Sequence, residues 1–169
     1  MIGTIGLGSN LGDRQEHLRR GLLGLEQGGL ELLAVSSVWE TEPVDAPCGG
    51  RFLNMAVRFR TEHEPRRLLE LLLEIERREG RERLVRNGPR TLDLDLLTLG
   101  DLELLRCDLQ LPHPRMWSRS FVLEPLAEVA PELRSPATGR TVVEEAERLR
   151  GGESVVRIGS LASARGLPL

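Results

Sequence analysis

The order in which strand-like and helix-like segments alternate constrains the fold of this chain more than any single motif. Short apolar or alternating stretches bounded by glycine and proline predict strands, and leucine stripes at helical spacing predict helices. The segments run strand, helix, strand, strand, helix, strand, over residues 2–7, 14–27, 30–40, 52–61, 64–79 and 92–99. This order predicts an α+β fold in which an antiparallel or mixed sheet carries helices on one face.

Capping and turn signals mark the ends of the first two helices. Residues 8–13 are predicted to form a turn in which Asn10 or Asp13 caps the first helix, and Gly28-Gly29 ends that helix. The second helix is expected to begin at Glu64-Pro65 and to stop at Gly80. Both helices should therefore pack through their leucine stripes.

The sequence predicts a hairpin followed by two helices in the second half of the chain. Gly100-Asp101 is expected to turn the last strand back toward residues 102–105. A helix is predicted over 121–129, and a Thr141–Glu144 capping box predicts another helix that ends near Gly151-Gly152.

The chain is expected to form one domain over residues 1–152, followed by a tail over 153–169 to which the sequence assigns no role. No apolar run reaches the about 18–20 residues that a membrane-spanning helix needs. Met1 leads directly into an apolar stretch without the charged segment of a secretory signal. Cys48 and Cys107 lie far apart, in no metal-type spacing, as is common in a reducing compartment. We therefore expect a cytoplasmic protein.

The absence of lysine excludes several classes of enzyme. All 23 basic residues are arginine, so a Schiff-base lysine, a Walker A lysine and a protein-kinase strand lysine are impossible. A net charge of −3 and a pI of about 5.7 also disfavour a general nucleic-acid binder. If the chain handles phosphate, then arginine, backbone amides or a metal ion must do it.

Two aspartates interrupt an otherwise apolar strand. Alternation places Asp93 and Asp95 on one face of the strand and the leucines between and beside them on the other face. Such a pair, about 7 Å apart along the strand, can bind the same hard cations. A solvent-exposed polar face is the alternative for an isolated Asp-x-Asp pattern.

An arginine-rich segment comes directly before this pair. Residues 81–90 hold four arginines against Glu82, a net charge of 4 − 1 = +3. Arginine clamps phosphate oxygens while carboxylates hold a metal ion, so the neighbouring segments suit a polyphosphate–Mg²⁺ complex. Arg77 and Arg78, by contrast, alternate with glutamates, including Glu76, and are predicted to lie on a solvated, salt-bridged helix face.

The histidines and the first glycines carry weaker signals. His113 lies between two prolines. Its predicted role is either a structural hydrogen-bonding group or a hydrogen-bond donor to a phosphoryl oxygen. His17 and His63 are expected to be ordinary surface residues. The Gly6-x-Gly8 pattern lacks the third glycine of a dinucleotide fingerprint and is assigned to a turn.

Four motifs together resemble one enzyme family. They are GLGSNLGDR, FLNMAV, RNGPRTLDLDLL and LPHPRMWSRSFVLEPLAEVAPEL, and the similarity runs from about Ile2 to about Arg150. The family is 6-hydroxymethyl-7,8-dihydropterin pyrophosphokinase, which acts in folate biosynthesis. The resemblance implies a ferredoxin-like α+β sandwich, ATP as co-substrate, two Mg²⁺ ions, and transfer of the β,γ-pyrophosphoryl group to the pterin hydroxymethyl oxygen with release of AMP. It implies small-molecule partners, no nucleic acid and no membrane, and leaves the oligomeric state open.

The resemblance also assigns roles to individual residues. The aspartates bind the metal ions, and the residues expected to act in catalysis are Arg83, Arg90, Asp93 and Asp95. The pterin site comprises Thr41, Val44, Phe52, Asn54 and Phe121, with the two phenylalanines on either side of the ring. The ATP contacts comprise Arg81, Arg83, Arg86, Arg90, His113 and Arg119. The loops over residues 41–50 and 81–91 correspond to mobile lids, while Asn87 and Pro114 stand where some members carry Trp and Tyr.

Two other functions remain open on the residues alone. One is a different Mg²⁺-dependent nucleotidyl or phosphoryl transferase that uses the same aspartate pair, in which Phe52 and Phe121 would be core residues. The other is a ferredoxin-like nucleic-acid-binding module, which predicts a basic sheet with exposed aromatic residues. The negative net charge, the lack of tyrosine and the acidic strand count against that module.

Overall fold

A computed structural model describes residues 1–42, 50–80, 90–152 and 154–161. The described elements follow in chain order. They are β1 (Ile2–Ser9), α1 (Arg14–Gln27), β2 (Glu31–Val35), β3 (Val38–Thr41), β4 (Phe52–Arg60), α2 (Pro65–Arg78), β5 (Asp93–Leu99), β6 (Leu104–Leu105), β7 (Gln110–Leu111), α3 (Ser120–Val129), α4 (Val142–Leu149) and β8 (Val155–Gly159). None of these helices is long and apolar enough to cross a membrane.

The main sheet is antiparallel throughout its described pairings. Its strand order is β5-β1-β4-β3-β8, and β2 pairs with β4 beside β3. With β2 and β3 counted as one interrupted strand, the first six segments follow the βαββαβ order and give the sheet order of a ferredoxin-like fold. The predicted α+β fold with a mostly antiparallel sheet is confirmed.

Side chains alternate between the two faces of this sheet and build a core on each. Leucines of α1 and α2, such as Leu18 and Leu72, pack with Ile5, Leu7 and Val57 on one face. On the other face, Ala56 and Leu97 pack against α3 and α4. We call this second face, which carries Gly8, Asn54, Ala56 and Asp93, the site face. Burial on both faces fixes the register, since a one-residue slip would exchange them.

The helix boundaries agree with the capping signals in the sequence. Asp13 caps α1 by accepting a hydrogen bond from Glu16 N at 3.1 Å, and Gly28 is its C-terminal cap. Gly80 follows α2 with φ of +74°, a conformation that glycine adopts without strain. The Thr141–Glu144 capping box is present, although α4 ends at Leu149 rather than at the glycine pair.

Three segment predictions were wrong in detail. The predicted turn over residues 8–13 begins later, because β1 continues through Gly8 and Ser9, where neighbouring strands pair with it on both sides. The stretch 30–40 forms two strands rather than one. Residues 102–105 do not pair with β5: β6 pairs with β7 in a separate two-stranded sheet.

The segment beyond Gly152 contributes a strand to the main sheet. β8 pairs antiparallel with β3, with Val155 opposite Thr41 and Arg157 opposite Trp39. Arg157 Nε also donates a hydrogen bond to Ser37 Oγ at 2.9 Å. The described part of the tail thus covers the β3 edge of the sheet.

Candidate active site

Three neighbouring strands place the predicted polar residues side by side on the site face. Gly8 of β1 lies opposite Asp93 of β5 on one side and opposite Asn54 of β4 on the other. Gly6, two residues earlier, lies opposite Asp95. Since paired residues in antiparallel strands project to the same face, both aspartates and Asn54 share one surface.

The aspartate pair has the geometry that alternation predicts. Asp93 and Asp95 are half-buried on the site face, whereas Leu92, Leu94 and Leu96 are buried in the core on the opposite side. The Asp93 carboxylate forms an ion pair with the Arg90 guanidinium. A pair of half-buried carboxylates on a rigid strand can bind a hard divalent cation.

Glu76 supports the strand that carries this pair. The prediction of a solvated, salt-bridged helix face is confirmed for Arg78, which is exposed and pairs with Glu74, but it is wrong for Glu76, which is buried. Its side chain is only 3% exposed, and its Oε1 accepts a hydrogen bond from Leu94 N at 2.8 Å. Among the described strands, β5 lies at the edge of the main sheet, so none of them pairs with this amide on that side. A signal was present in the sequence: Glu76 lies four residues after Leu72 and therefore continues the apolar stripe of α2.

Asn10 fixes the backbone of Arg90 through two hydrogen bonds. Arg90 N donates to Asn10 Oδ1 at 2.7 Å, and Asn10 N donates to Arg90 O at 3.1 Å. Asn10 is buried and does not cap α1, a role that Asp13 fills. Arg90 is thus anchored by its backbone to the end of β1 and by its side chain to Asp93.

His113 and Arg119 bring two further polar groups to the aspartates. His113 N donates to Leu97 O at 2.8 Å, which attaches the Pro-His-Pro segment to the end of β5. Burial lowers the pKa of Arg119, an effect that Arg115 and Arg90 reinforce and that Asp95 and Asp93 oppose. Arg119 therefore lies within the electrostatic reach of both carboxylates.

The pterin-site candidates form a second group adjoining the first. Asn54 Nδ2 donates a hydrogen bond to Thr41 Oγ1 at 2.9 Å, and Thr41 pairs with Phe52 across β3 and β4. Asn54 and Thr41 are buried, whereas Phe52 is half-buried.

The Arg119 guanidinium carbon lies 5.4 Å from the centre of the half-buried Phe121 ring, a cation–π contact. Through Arg119, the aromatic group adjoins the charged group.

Several predicted site residues lie outside the described residues. These are Val44, Arg81, Arg83 and Arg86, together with most of the two loops expected to act as lids. The other predicted site residues gather at one end of the site face or in the segments that adjoin it.

The two remaining histidines support helix packing and are not plain surface residues. His17 Nδ1 lies 2.8 Å from Glu79 Oε2, which joins α1 to the end of α2. His63 Nε2 lies 2.7 Å from Gly28 O. Both are half-buried and serve the helix layer on the face opposite the site.

His113 should titrate below the usual histidine range in the free protein. Burial lowers the pKa of His113 from 6.5, and the positive charges of Arg119 and Arg115 add to this effect. Arg115 N donates a hydrogen bond to His113 Nδ1 at 3.2 Å, which requires that this nitrogen carry no proton. The contribution of His113 to stability should therefore be complete above pH 6.5 and be lost as the pH falls through its lowered value.

NMR titration of the three histidines, with His113→Gln for assignment, measures this. An ATP analogue should raise the pKa of His113, because phosphate charge favours the imidazolium form. Titration of His113 at or above 6.5 in the free protein would contradict the prediction. His17 and His63 are the internal controls.

Comparison with known proteins assigns the family. The model of the 7,8-dihydro-6-hydroxymethylpterin-pyrophosphokinase (HPPK) family matches residues 4–131. The chain is 44% identical over 149 residues to the Bacillus subtilis 2-amino-4-hydroxy-6-hydroxymethyldihydropteridine pyrophosphokinase, covering 88% of this chain and 89% of that protein. It is 40% identical over 147 residues to the Synechocystis protein of the same name, covering 86% of this chain and 75% of the relative.

A solved structure agrees with the fold. Wild-type Plasmodium falciparum HPPK-DHPS superposes with a TM-score of 0.64 at 14% identity, over 87% of this chain and 44% of the solved chain. The chain thus spans less than half of that longer protein, and at this identity the likeness concerns the fold alone. From the matched family model and the two bacterial relatives, we conclude that the chain belongs to the 7,8-dihydro-6-hydroxymethylpterin-pyrophosphokinase family.

Proposed function

We propose that the described end of the site face is the active site at which this chain, a pyrophosphokinase of folate synthesis, transfers pyrophosphate from ATP to hydroxymethyldihydropterin. The reaction follows from membership of the family. The roles of individual residues are our proposal. The observation that carries it is the register that sets Asn54 and Asp93 on either side of Gly8, because it joins a polar pterin-reading group to a metal-binding carboxylate across one strand.

The pterin side of the site orients the nucleophile. Phe52 and Phe121 would hold the flat ring between them, and Asn54 would bind its polar edge. The hydrogen bond to Thr41 fixes the Asn54 amide, so this group is positioned before substrate arrives. Val44 lies outside the described residues and is proposed as part of the same site from the family resemblance.

The phosphate side of the site holds ATP. Arg90 and Arg119 would bind phosphate oxygens, and His113 would donate a hydrogen bond from Nε2 to a phosphoryl oxygen. The neutral state that burial gives His113 leaves its proton on Nε2, because Nδ1 accepts from Arg115 N. Arg81, Arg83 and Arg86 are proposed as further ATP contacts from the family resemblance, with Arg83 also acting in catalysis.

The chemistry is an in-line displacement at the β-phosphorus. The pterin hydroxymethyl oxygen forms a bond to that phosphorus and gives up its proton to water. The bond between the β-phosphorus and the oxygen bridging it to the α-phosphorus breaks, and AMP leaves with that oxygen. Arginine side chains stabilise the charge that develops on the transferred group, and the aromatic pair keeps the nucleophile aligned. No covalent intermediate with the protein is needed.

Asp93 and Asp95 fit a magnesium site that is completed by substrate. Their oxygens are the ligands that Mg²⁺ prefers, and no group of three or more His, Cys, Asp or Glu side chains gathers for metal binding among the described residues. The remaining positions around an ion would thus be filled by phosphate oxygens and water, as is usual for Mg²⁺ with nucleotides. When bound, Mg²⁺ supplies charge neutralisation at the phosphates; we propose two ions. A location in the cytoplasm stays a prediction.

The stacking role of Phe121 is tested by separating the affinities for the two substrates. Phe121→Ala should weaken pterin binding about 10-fold or more, because a buried aromatic contact of this size contributes more than about 1.4 kcal/mol. Affinity for a non-hydrolysable ATP analogue should stay within about twofold of the wild-type value. Equilibrium titration of each ligand measures both effects.

Val122→Ala is the matched control for Phe121→Ala. Val122 is the next residue of α3 and packs against the core between α3 and α4. The control should leave the affinity for pterin unchanged. Equal losses of pterin and ATP-analogue affinity in Phe121→Ala would refute the stacking role.

A further inference from the structure

Two glycines of β1 occupy positions where the strand itself does not need glycine. Gly6 and Gly8 lie inside β1, and neither has a positive φ. Glycine in the interior of a strand costs stability and contributes no side-chain packing. A glycine in such a position often marks a place where a ligand or another backbone approaches closely.

The surroundings of Gly8 differ from those of Gly6. A Cβ atom on Gly8 would lie 3.3 Å from Asn54 Oδ1, 3.9 Å from Asp93 Cβ and 3.9 Å from Phe52 Cδ1. A Cβ atom on Gly6 would have its three nearest contacts with the Leu97 side chain, at 3.6–3.9 Å, an ordinary van der Waals distance. The nearest contacts of Gly8 are thus with three candidate site residues, whereas those of Gly6 are with a core leucine. We call the space above Gly8, bounded by Asn54, Asp93 and Phe52, the glycine gap.

We propose that bound pterin occupies the glycine gap, so that Gly8 sets the size of the pterin site. This inference rests on the proposed function, since Asn54 and Phe52 define the gap as pterin-binding. The ligand must reach from the amide of Asn54 to the carboxylate of Asp93, and these residues stand on the two strands that flank Gly8. A side chain on Gly8 would project into the path between them. Gly8 is thus a specificity-determining residue, whose contribution is the absence of a side chain.

We expect a methyl group at position 8 to reduce the affinity for pterin more than it reduces the stability of the fold. Two of the three contacts of the added Cβ would be ordinary, and the third requires Asn54 to give way by a few tenths of an ångström. Alanine also suits a strand better than glycine does, because it loses less backbone entropy on folding. The cost of Gly8→Ala should therefore fall on pterin binding.

Gly8→Ala and its matched control Gly6→Ala test the proposal. For each variant, the pterin affinity in the presence of a non-hydrolysable ATP analogue, the affinity for that analogue alone and the thermal midpoint are measured. Gly8→Ala should weaken pterin binding about 10- to 100-fold, the range that an extra methyl group in a filled space costs. Its ATP-analogue affinity should stay within about twofold of wild type, and Gly6→Ala should leave both affinities unchanged.

The outcomes separate this inference from the proposed function. Wild-type pterin affinity in Gly8→Ala, alongside a loss in Phe121→Ala, would overturn the role of Gly8 and leave the proposed pterin site intact. Wild-type pterin affinity in both variants would overturn the site itself. Equal loss of pterin and ATP-analogue affinity in Gly8→Ala, or the same loss in Gly6→Ala, would also overturn the inference, because it would indicate general damage to β1.

Discussion

Asp95→Asn is expected to lower the rate of pyrophosphoryl transfer by a factor of about 10³ or more, because a metal–carboxylate interaction supplies several kcal/mol of transition-state stabilisation. The substitution keeps the shape of the side chain and removes its charge, so the strand and its pairing with Gly6 should persist. Magnesium binding in the presence of an ATP analogue should weaken in parallel. Steady-state turnover at saturating substrates and a count of bound Mg²⁺ measure the two effects.

Asp101→Asn provides the control for this experiment. Asp101 is exposed in the turn that follows β5, outside the site, and its substitution should leave turnover unchanged. If Asp95→Asn turns over at the wild-type rate, the metal assignment is wrong. A wild-type magnesium count in Asp95→Asn would likewise show that the ions bind elsewhere.

Arg90→Ala is expected to have the second-largest effect, a loss of about 10²–10³ in turnover, as for removal of one preorganised donor to a transition-state oxygen. The side chain of Arg90 already pairs with Asp93. Asn10 forms hydrogen bonds with both the backbone amide and the backbone carbonyl of Arg90. The guanidinium is therefore held close to the aspartate pair before ATP arrives. Turnover should fall more than the affinity for the ATP analogue does.

Two variants sharpen the Arg90 result. Arg90→Lys keeps one point charge but loses the planar donor pair, so it should recover only part of the activity. Arg106→Ala removes an exposed arginine from the segment between β6 and β7 and should leave turnover unchanged. Unchanged kinetics in Arg90→Ala would remove this residue from the site.

Local patterns predicted the parts of the fold whose stabilising contacts are local. The Thr141–Glu144 box and the Gly80 stop depend on residues within one helical turn, so the sequence alone identifies them. Strand alternation likewise predicted that the two aspartates share a face, because the period of two is a property of the strand itself.

The predictions that were wrong concern residues whose structure depends on contacts with residues far away in the chain. Glycine normally weakens a strand, and Gly8 remains in β1 because strands pair with it on both sides. Asn10 resembles a helix cap in sequence, yet it binds Arg90, 80 residues later. Glu76 resembles a member of a charged helix face, and its burial becomes evident only once the fold brings the amide of Leu94 to its carboxylate, 18 residues later in the chain.

In the candidate site, too, some features could be predicted from local sequence and others depend on the fold. The types of chemistry, paired carboxylates beside arginine, could be predicted from residues 90–95 alone. The position of Asn54, which we propose binds the pterin edge, could not be predicted in this way. It lies two strands away from Asp93, with Gly8 between them, because the strand order places β1 between β5 and β4. This arrangement supports our proposal that the site face binds both substrates.

The most direct test of that account is a product analysis of the purified chain with ATP, Mg²⁺ and 6-hydroxymethyl-7,8-dihydropterin. We expect AMP and the pterin diphosphate in equal amounts, formed only when both substrates are present. Formation of ADP in place of AMP, or of AMP at the same rate without the pterin, would contradict it.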